Sequence, residues 1–549
     1  MSEPGIKPVI RDKQAVCSTS HPLVTATMLD VLRSGGNAFD AAVAGCLLQP
    51  VVEPHLTTHG GSLTVLIYEA STGKTHHLNG SGTLVPDLPP FRPLPPGVGG
   101  FVIPGLPPPS ACIPGYMPAL GELHARFGTQ SWASLCAPAI QTAEEGHVVS
   151  SFEYALLQYF LSSYTYFPSG RALFMADGFL PHAGTRFKNP ALAQTLRRCA
   201  DQGAAEFTEG EWAQHFIAEA NRLGWRITRQ HMTAVPPRWG EPMHTAYGDQ
   251  VIVQYAPPEV VGTISAFVLG VLKELGAHKG GHYSENPEAL YYMAHVLRRA
   301  EFETGMLNDP HIFATPHEVL MSQAYHAATA RILKHSRPRI DLTPHVLAVN
   351  GKMALASAGL PLDGSAPVGS CEISVVDSAG NWVQLINTVQ SGGIPGVVVD
   401  GVHFWGSHAY STMSQGIAGW QAEASRIRLI TGSTLILKDG KPWIGLGTPG
   451  YPNVTVPQLL WSILACGLSP EIAAELPRMW TLRDDYTLDI EARLSPPVIA
   501  DLMKLGITVN PLLPYDWHIG SFQMSWRDAE TGLLNSYADS RRTGLAGGI

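Results

Sequence analysis

The chain has 549 residues, is 45% hydrophobic and 15% charged, and sets Lys+Arg 36 against Asp+Glu 45 for a net charge of −9. That balance describes a globular protein with a large core, and the lack of any basic cluster interleaved with aromatics argues against a nucleic-acid partner. Seven scattered cysteines (Cys17, Cys46, Cys112, Cys136, Cys199, Cys371 and Cys466) form no C-x-x-C pair, so they point to reduced core residues rather than a disulfide framework or a zinc site.

The N-terminal MSEPGIKPVIRDKQAV carries charges and prolines where a secretory signal needs an apolar run, so the expected location is cytoplasmic. The apolar segments Ile264 to Leu275 and Val454 to Leu468 are too short, or too interrupted by polar residues and Pro457, to cross a bilayer. From Val16 to Tyr68 the pattern reads strand, helix, helix, strand. Ser20 is the expected first N-cap, with Pro22 in the first turn and Gly35-Gly36 as the stop. The second helix begins at Ala38, with Asn37 as its cap and Asp40 in its first turn. Its face of Ala41, Ala42, Ala44 and Gly45 is so small that another element must pack close. Leu63 to Tyr68 and Lys74 to Leu78 then read as a strand pair.

Val85 to Pro118 is crowded with proline and glycine, which excludes a long helix and predicts an irregular loop, either a pocket wall or a plain meander. A helix restarts after Gly115. Ser131 to His147 and 189 to 223 read as helical, and Val251 to Tyr255 as a strand. A further helix spans Pro287 to Gly305 and is expected to present Arg298, Arg299, Glu301 and Glu303 to solvent. Residues 340 to 368 read as loop.

The stretch GSCEISVVDSAGNWVQLINT, from Gly369 to Thr388, reads as a β-hairpin. Glu372 to Val376 alternates polar and apolar residues, Asp377-Ser-Ala-Gly380 supplies turn chemistry, and Trp382 to Ile386 returns as a second strand. Taken alone it describes a surface hairpin. A small hydroxyl residue directly after a glycine also suits a chain that cuts itself before Ser370 and then uses the new terminus for catalysis. Further on, Ser433 to Leu437 and Pro442 to Leu446 form a strand pair followed by GLGTPG (Gly445 to Gly450). That run matches the glycine pattern of dinucleotide sites, but Tyr451-Pro452 follow and no acidic residue ends a second strand about 20 residues on. A glycine-rich turn after a strand can instead aim backbone N–H groups at a developing oxyanion.

Several blocks together carry a resemblance. HPLVTATMLDVLRSGGNAFDAAVAGCLLQPVVEPHLTTHGGSLTVLIYEASTGKTHHLNGSG, PGYMPALGELHARFGTQSWASLCAPAIQTAEEG, PPEVVGTISAFVLGVLKELG, the hairpin and DGKPWIGLGTPG resemble, in order, blocks of the γ-glutamyltranspeptidase family of N-terminal nucleophile hydrolases. The resemblance implies an α+β fold, a four-layer αββα sandwich. It also implies one precursor that self-cleaves between Gly369 and Ser370 into a large region, 1–369, and a small region, 370–549, within one composite globular domain. Ser370 falls on the family's nucleophile. Its freed α-amine, with a reference pKa of about 7.7–8.0, suits the role of base near neutral pH. Gly450 and Tyr451 match the paired glycines of the oxyanion hole. Thr388 and Gln390 match positions that hold the nucleophile and the substrate's amino end.

Departures bear on substrate. Where glutathione-handling members have an Arg-Glu pair, this chain has Gly82-Thr83, and their Ser-Ser pair falls on Leu429-Ile430. Without the arginine's parallel hydrogen bonds an ordinary γ-glutamyl donor is disfavoured, and Gly-Ser-Gly at 80–82 is more similar to acylase and small-amide hydrolase branches, including those acting on oxamate or acylated β-lactams. Arg426 aligns with a family arginine and suits either an acidic substrate or a structural ion pair. His55 and His59 lie in EPHLTTHGG, where glycines oppose the helix that a metal pair would need. The expectation is an amide hydrolase or acyl transferase acting on a small amide, with no metal, cofactor, nucleic-acid or membrane partner. The alternatives are a true γ-glutamyltransferase or glutathione hydrolase, and an uncleaved binding protein. A homodimer of the precursor and a heterotetramer both remain open.

Overall fold

The computed structural model describes residues 7–84, 112–159, 161–165, 167–223, 226–304, 307, 309–311, 314–336, 369–389, 396–404, 426 and 429–549. Two seven-stranded sheets face each other. In spatial order the first runs Ile10–Asp12, Leu534–Ala538, Gln523–Arg527, Lys441–Gly447, Thr434–Lys438, Gln250–Gln254 and Met243–Tyr247. The second runs Leu545–Gly548, Val16–Thr19, Cys371–Val376, Trp382–Thr388, Ser62–Glu69, Lys74–Gly80 and Arg238–Gly240. Helices Pro22–Arg33, Ala38–Val52 and Tyr116–Phe127 cover the outer face of the second sheet, and Val261–Leu275 with Pro452–Leu464 covers that of the first. This is the expected αββα sandwich. Both sheets draw strands from either side of residue 370, so neither portion holds a complete sheet.

The hairpin is not at the surface. Cys371–Val376 and Trp382–Thr388 sit in the middle of the second sheet with every residue buried. The polar residues of its alternation face the other sheet instead of water. Ser374 Oγ lies 2.8 Å from Ser525 Oγ, while Glu372 accepts from Ser433 Oγ at 2.6 Å and Gln384 Nε2 at 2.9 Å. Burial pushes the Glu372 carboxyl well above its ordinary pKa, which suits a neutral acid in a dry polar layer. Ile373, Val375, Val383 and Leu385 face the helices, whereas Val376, Trp382 and Ile386 pack between the sheets; a Cβ at Gly45 would lie 3.1 Å from Ile373 Cδ1, so the small face does admit a close neighbour.

Local chemistry sets the ends of the Ala38–Val52 helix. Asn37 Oδ1 accepts from Phe39 N and Asp40 N, Asp40 Oδ2 accepts from Asn37 N, and Asp377 of the hairpin turn accepts from Ala38 N at 2.9 Å. Asp40 also takes Thr129 N, Thr129 Oγ1 and Gln130 N, tying this helix to the loop after Tyr116–Phe127. Asp40→Ala strands these buried donors, and a stability loss of about 3–5 kcal/mol is expected in denaturant unfolding. A loss under about 1 kcal/mol would refute that accounting.

Other boundaries shift for physical reasons. The first N-cap is His21, whose Nδ1 accepts from Leu23 N at 3.2 Å, while Ser20 Oγ accepts from Glu372 N. The helix expected over Ser131 to His147 ends at Glu145, because Gly146 turns the chain at φ +86°. The run from 189 to 223 is two helices, Pro190–Gln202 and Glu211–Arg222, joined by a 3-10 turn. Glu206 in that turn caps the second helix by accepting from Glu211 N and Trp212 N. The face of Pro287–Thr304 expected in solvent is packed: Arg298 reaches Asp484, Glu303 is buried and accepts from Tyr325, and Glu301 accepts from Tyr451 and Asn453. Residues 85–111 and 340–368 of the expected loops lie outside the described residues.

Candidate active site

Ser370 stands at the start of the central strand Cys371–Val376, and its neighbour strand ends at Thr388, so the antiparallel register brings the two together. Ser370 Oγ donates to Thr388 Oγ1 at 3.0 Å, and Thr388 Oγ1 donates to Gly369 O at 3.1 Å. Ser370 Oγ also contacts Gly369 O itself. The two hydroxyls and the carbonyl of the preceding peptide thus form a closed triangle that is buried from water. On its far edge Thr388 pairs with Ser62 in the next strand, and a Cβ at Gly61 would lie 1.8 Å from Thr388 O. Glycine at 61 is therefore required by the close approach of the Thr388 carbonyl, a reason the sequence does not show.

Beneath the triangle lies a buried polar cluster. Cys371 Sγ donates to Glu53 Oε2 at 3.2 Å, Gln49 Nε2 donates to the same oxygen, and burial lifts the Glu53 carboxyl to about 7. Because its folded value lies above its ordinary one, Glu53 favours the fold most at low pH, and this contribution fades as pH rises from about 4.5 to about 7. Glu53→Gln is expected to flatten that part of the stability profile in urea titrations between pH 4 and 8. An unchanged slope would show that other groups carry it.

Arg542 closes the other side. Its Nη1 donates to Ser370 O at 3.4 Å, and its Nε and Nη2 donate to Trp517 O at 3.2 and 3.1 Å. The turn it holds, 517–520, lies against Gly450, where φ is +94° and a Cβ would meet Gly520 Cα at 2.6 Å. Gly450 thus needs glycine both for its backbone angle and for space. Tyr451 is the N-cap residue of Pro452–Leu464, with its hydroxyl on Glu301 and its ring edge-on to Trp480. Helix N-terminal amides of this kind suit anions.

The remaining expected residues separate. Gly82 N donates to Ser62 Oγ at 3.1 Å, one contact from Thr388. Arg426 is buried, with Nη1 on Ser81 O and Nη2 on Pro236 O, and Thr83 forms a β-bridge to it. Those groups are backbone carbonyls, while Glu259 and Asp309 act on the guanidinium through space. Its Nε has no hydrogen-bond partner among the described residues, and the residue lines a cavity of about 160 Å³ with Ser81, Thr83, Met232 and Pro236. Leu429 is buried, and Ile430 packs on the core of the first sheet. Gln390 lies outside the described residues. His55 and His59 point to different neighbours: His59 Nε2 pairs with Leu47 O, whereas His55 packs edge-on against Phe152 with neither ring nitrogen partnered among the described residues. Among the described residues the ligand atoms that do converge, on Glu211, His215 and Asp400, include Arg198 in their ion-pair network. No helix among them is long and apolar enough to cross a membrane.

Sequence reasoning did not single out Glu53, Ser62 or Arg542 as site residues. Arg542 sits in an ADSRR run whose two arginines both turn inward, an outcome that depends on partners from four distant segments.

Comparisons with known proteins bear on the fold and the family. The glutathione hydrolase proenzyme of Pseudomonas aeruginosa is 26% identical, over 94% of this chain and 91% of that protein. The oxamate amidohydrolase proenzyme of Klebsiella pneumoniae is also 26% identical, over 96% and 97%. The glutathione hydrolase-like YwrD proenzyme of Bacillus subtilis is 26% identical over 99% of this chain and all of its own length. In fold, the crystal structure of cephalosporin acylase from Bacillus halodurans superposes with a TM-score of 0.80 at 23% identity, over 100% of this chain and 98% of that one. Residues 25–549 match the family described as Gamma-glutamyltranspeptidase, and this chain belongs to that family of hydrolases.

Proposed function

We propose that the chain is a self-cleaving amide hydrolase that splits between Gly369 and Ser370 and then works through an acyl-enzyme on Ser370. The observation that carries this reading is the triangle of Ser370 Oγ, Thr388 Oγ1 and Gly369 O. As Ser370 Oγ attacks the Gly369 carbonyl carbon, its proton passes to Thr388, and the proton of Thr388 moves to the carbonyl oxygen. No charge is left exposed in a buried site. As the C–N bond breaks, the proton of the new hydroxyl passes to the leaving nitrogen and the carbonyl re-forms, which leaves an ester and a free α-amine; water then hydrolyses the ester, giving the Gly369 carboxyl and returning a proton to Ser370 Oγ.

The same hydroxyl, now assisted by that amine, attacks the substrate amide, with the backbone N–H groups of Gly450 and Tyr451 receiving the oxyanion. Gly82 lacks a guanidinium for a γ-glutamyl carboxylate, so a small acyl group is the favoured substrate. The cavity beside it offers Arg426 to an acidic end. Purified chain should resolve on a denaturing gel into two bands of 369 and 549 − 369 = 180 residues, the smaller beginning Ser-Cys-Glu-Ile. One intact mass with amide hydrolysis would overturn the mechanism, and one intact mass without it would favour a binding protein.

A second reading, γ-glutamyl transfer or glutathione hydrolysis, rests on the names of similar proenzymes. Turnover of a γ-glutamyl anilide at or above that of oxamate and simple acyl anilides would decide for it.

A further inference from the structure

We infer that Arg542 is a positioning residue for the nucleophile, gripping the Ser370 carbonyl and keeping the cleaved α-amine in its free-base form at neutral pH. This rests on the self-cleavage reading above. The argument is geometric. Once the Gly369–Ser370 bond is gone, Ser370 is a chain end, and only its side chain and its own carbonyl can fix where the new amine points. Thr388 holds the first and Arg542 the second. Arg542 is itself immobilised, with two donors on Trp517 O and its carbonyl oxygen bound by Lys7 Nζ. That lysine also donates to Asp539 O and Gly544 O, so residues from the extreme N-terminus brace the arginine that braces the nucleophile.

The charge follows from the placement. Arg542 Nη1 lies 3.4 Å from Ser370 O, and the nitrogen of the same residue is at most about 3.6 Å further, so cation and amine are within about 7 Å. A buried cation at that range disfavours an ammonium and favours the free amine.

The other titratable groups around the site do not cancel this. Of the groups that face Arg542 from the helix end and the central strand, Glu53, lifted to about 7, is only partly ionised at neutral pH, so it offsets no more than part of one of the two cations, Arg542 and Lys7. Cys371 is kept neutral by burial. His55, His21 and His403 are likewise kept neutral, and His147 pairs with Glu153. Asp516, from the turn below, is bonded to His518, and Asp539 is taken up by Arg478 and Arg541. Lys7 adds a second cation, its own value lowered by burial to about 8.

The test reads the amine directly. Competitive labelling of the native cleaved protein with an amine-reactive reagent, followed across pH, gives the pKa of the Ser370 amine. A value about one unit below the reference of about 7.7–8.0 is expected. A value inside or above that range overturns the inference. In parallel, Arg542→Gln should move the acidic limb of kcat/KM upward by about one pH unit, whereas Arg542→Lys should lower kcat with the limb held within about 0.3 unit. A uniform loss with no movement of the limb would assign Arg542 a merely structural role and overturn the inference. Should Arg542→Gln fail to fold, the labelling result on the unaltered protein still decides. If no fragment begins at Ser370, the functional reading falls together with this one; if the fragment forms and its amine titrates normally, only this inference falls.

Discussion

Thr388→Val should leave the fold intact yet slow the cut before Ser370 by about 10²–10³-fold, measured as the half-time for appearance of the smaller band. Valine nearly matches threonine in shape, so the substitution removes one hydroxyl and little packing. What disappears is the acceptor for the Ser370 proton and the donor, at 3.1 Å, to the oxygen that gains charge as the Gly369 carbonyl is attacked. Loss of one such preorganised donor typically costs a rate factor of about 10²–10³. Thr388→Ser keeps the hydroxyl without the methyl that restricts its rotamer, and should recover most of the rate. Cleavage of Thr388→Val at the unaltered rate would mean that the proton leaves by another route.

Ser370→Ala is expected to have the larger effect. The chain should remain a single 549-residue polypeptide with amide hydrolysis lowered by about 10⁴-fold or more, since the variant has neither the nucleophile nor the freed amine. Ser370→Thr should still cut itself, because a hydroxyl remains. Ser370→Cys tests the step differently: a thiol attacks well, and cleavage with altered pH dependence is expected. If Ser370→Ala still divides at residue 369, another group performs the cut. Cys371, next in the chain, is a poor substitute, because its thiol is buried, pushed well above its ordinary pKa and committed to Glu53.

Both predictions depend on small distances, and these were not legible in the sequence. Periodicity showed that Glu372 to Val376 alternates and that Trp382 onward answers it, which is enough for a hairpin. It does not say what the polar side faces. Water and a second polar sheet impose the same two-residue period, so a surface hairpin and a central pair of strands read alike until the partner sheet is placed. The same ambiguity affected Arg298, Arg299, Glu301 and Glu303. Charged residues on one face of a helix suggest solvent, yet here Glu301 and Glu303 accept hydrogen bonds from tyrosines contributed by other segments.

What the sequence determined by itself is therefore local and chemical. Asn37, Asp40 and the small face after them defined a helix with a close neighbour, because capping and steric size act within a turn or two of the chain. The glycine-serine step before an alternating strand marked the candidate nucleophile, and family blocks in order pointed to the four layers. The tertiary structure alone decided that Thr388 O leaves no room for a side chain at Gly61, that Arg426 binds backbone carbonyls beside a cavity, and that Arg542 reaches Ser370 from 172 residues away. Those are contacts between segments whose separation along the chain carries no periodic signal. Only the packing of one sheet on the other brings such groups within hydrogen-bonding range, and only there does burial fix which of them hold a charge.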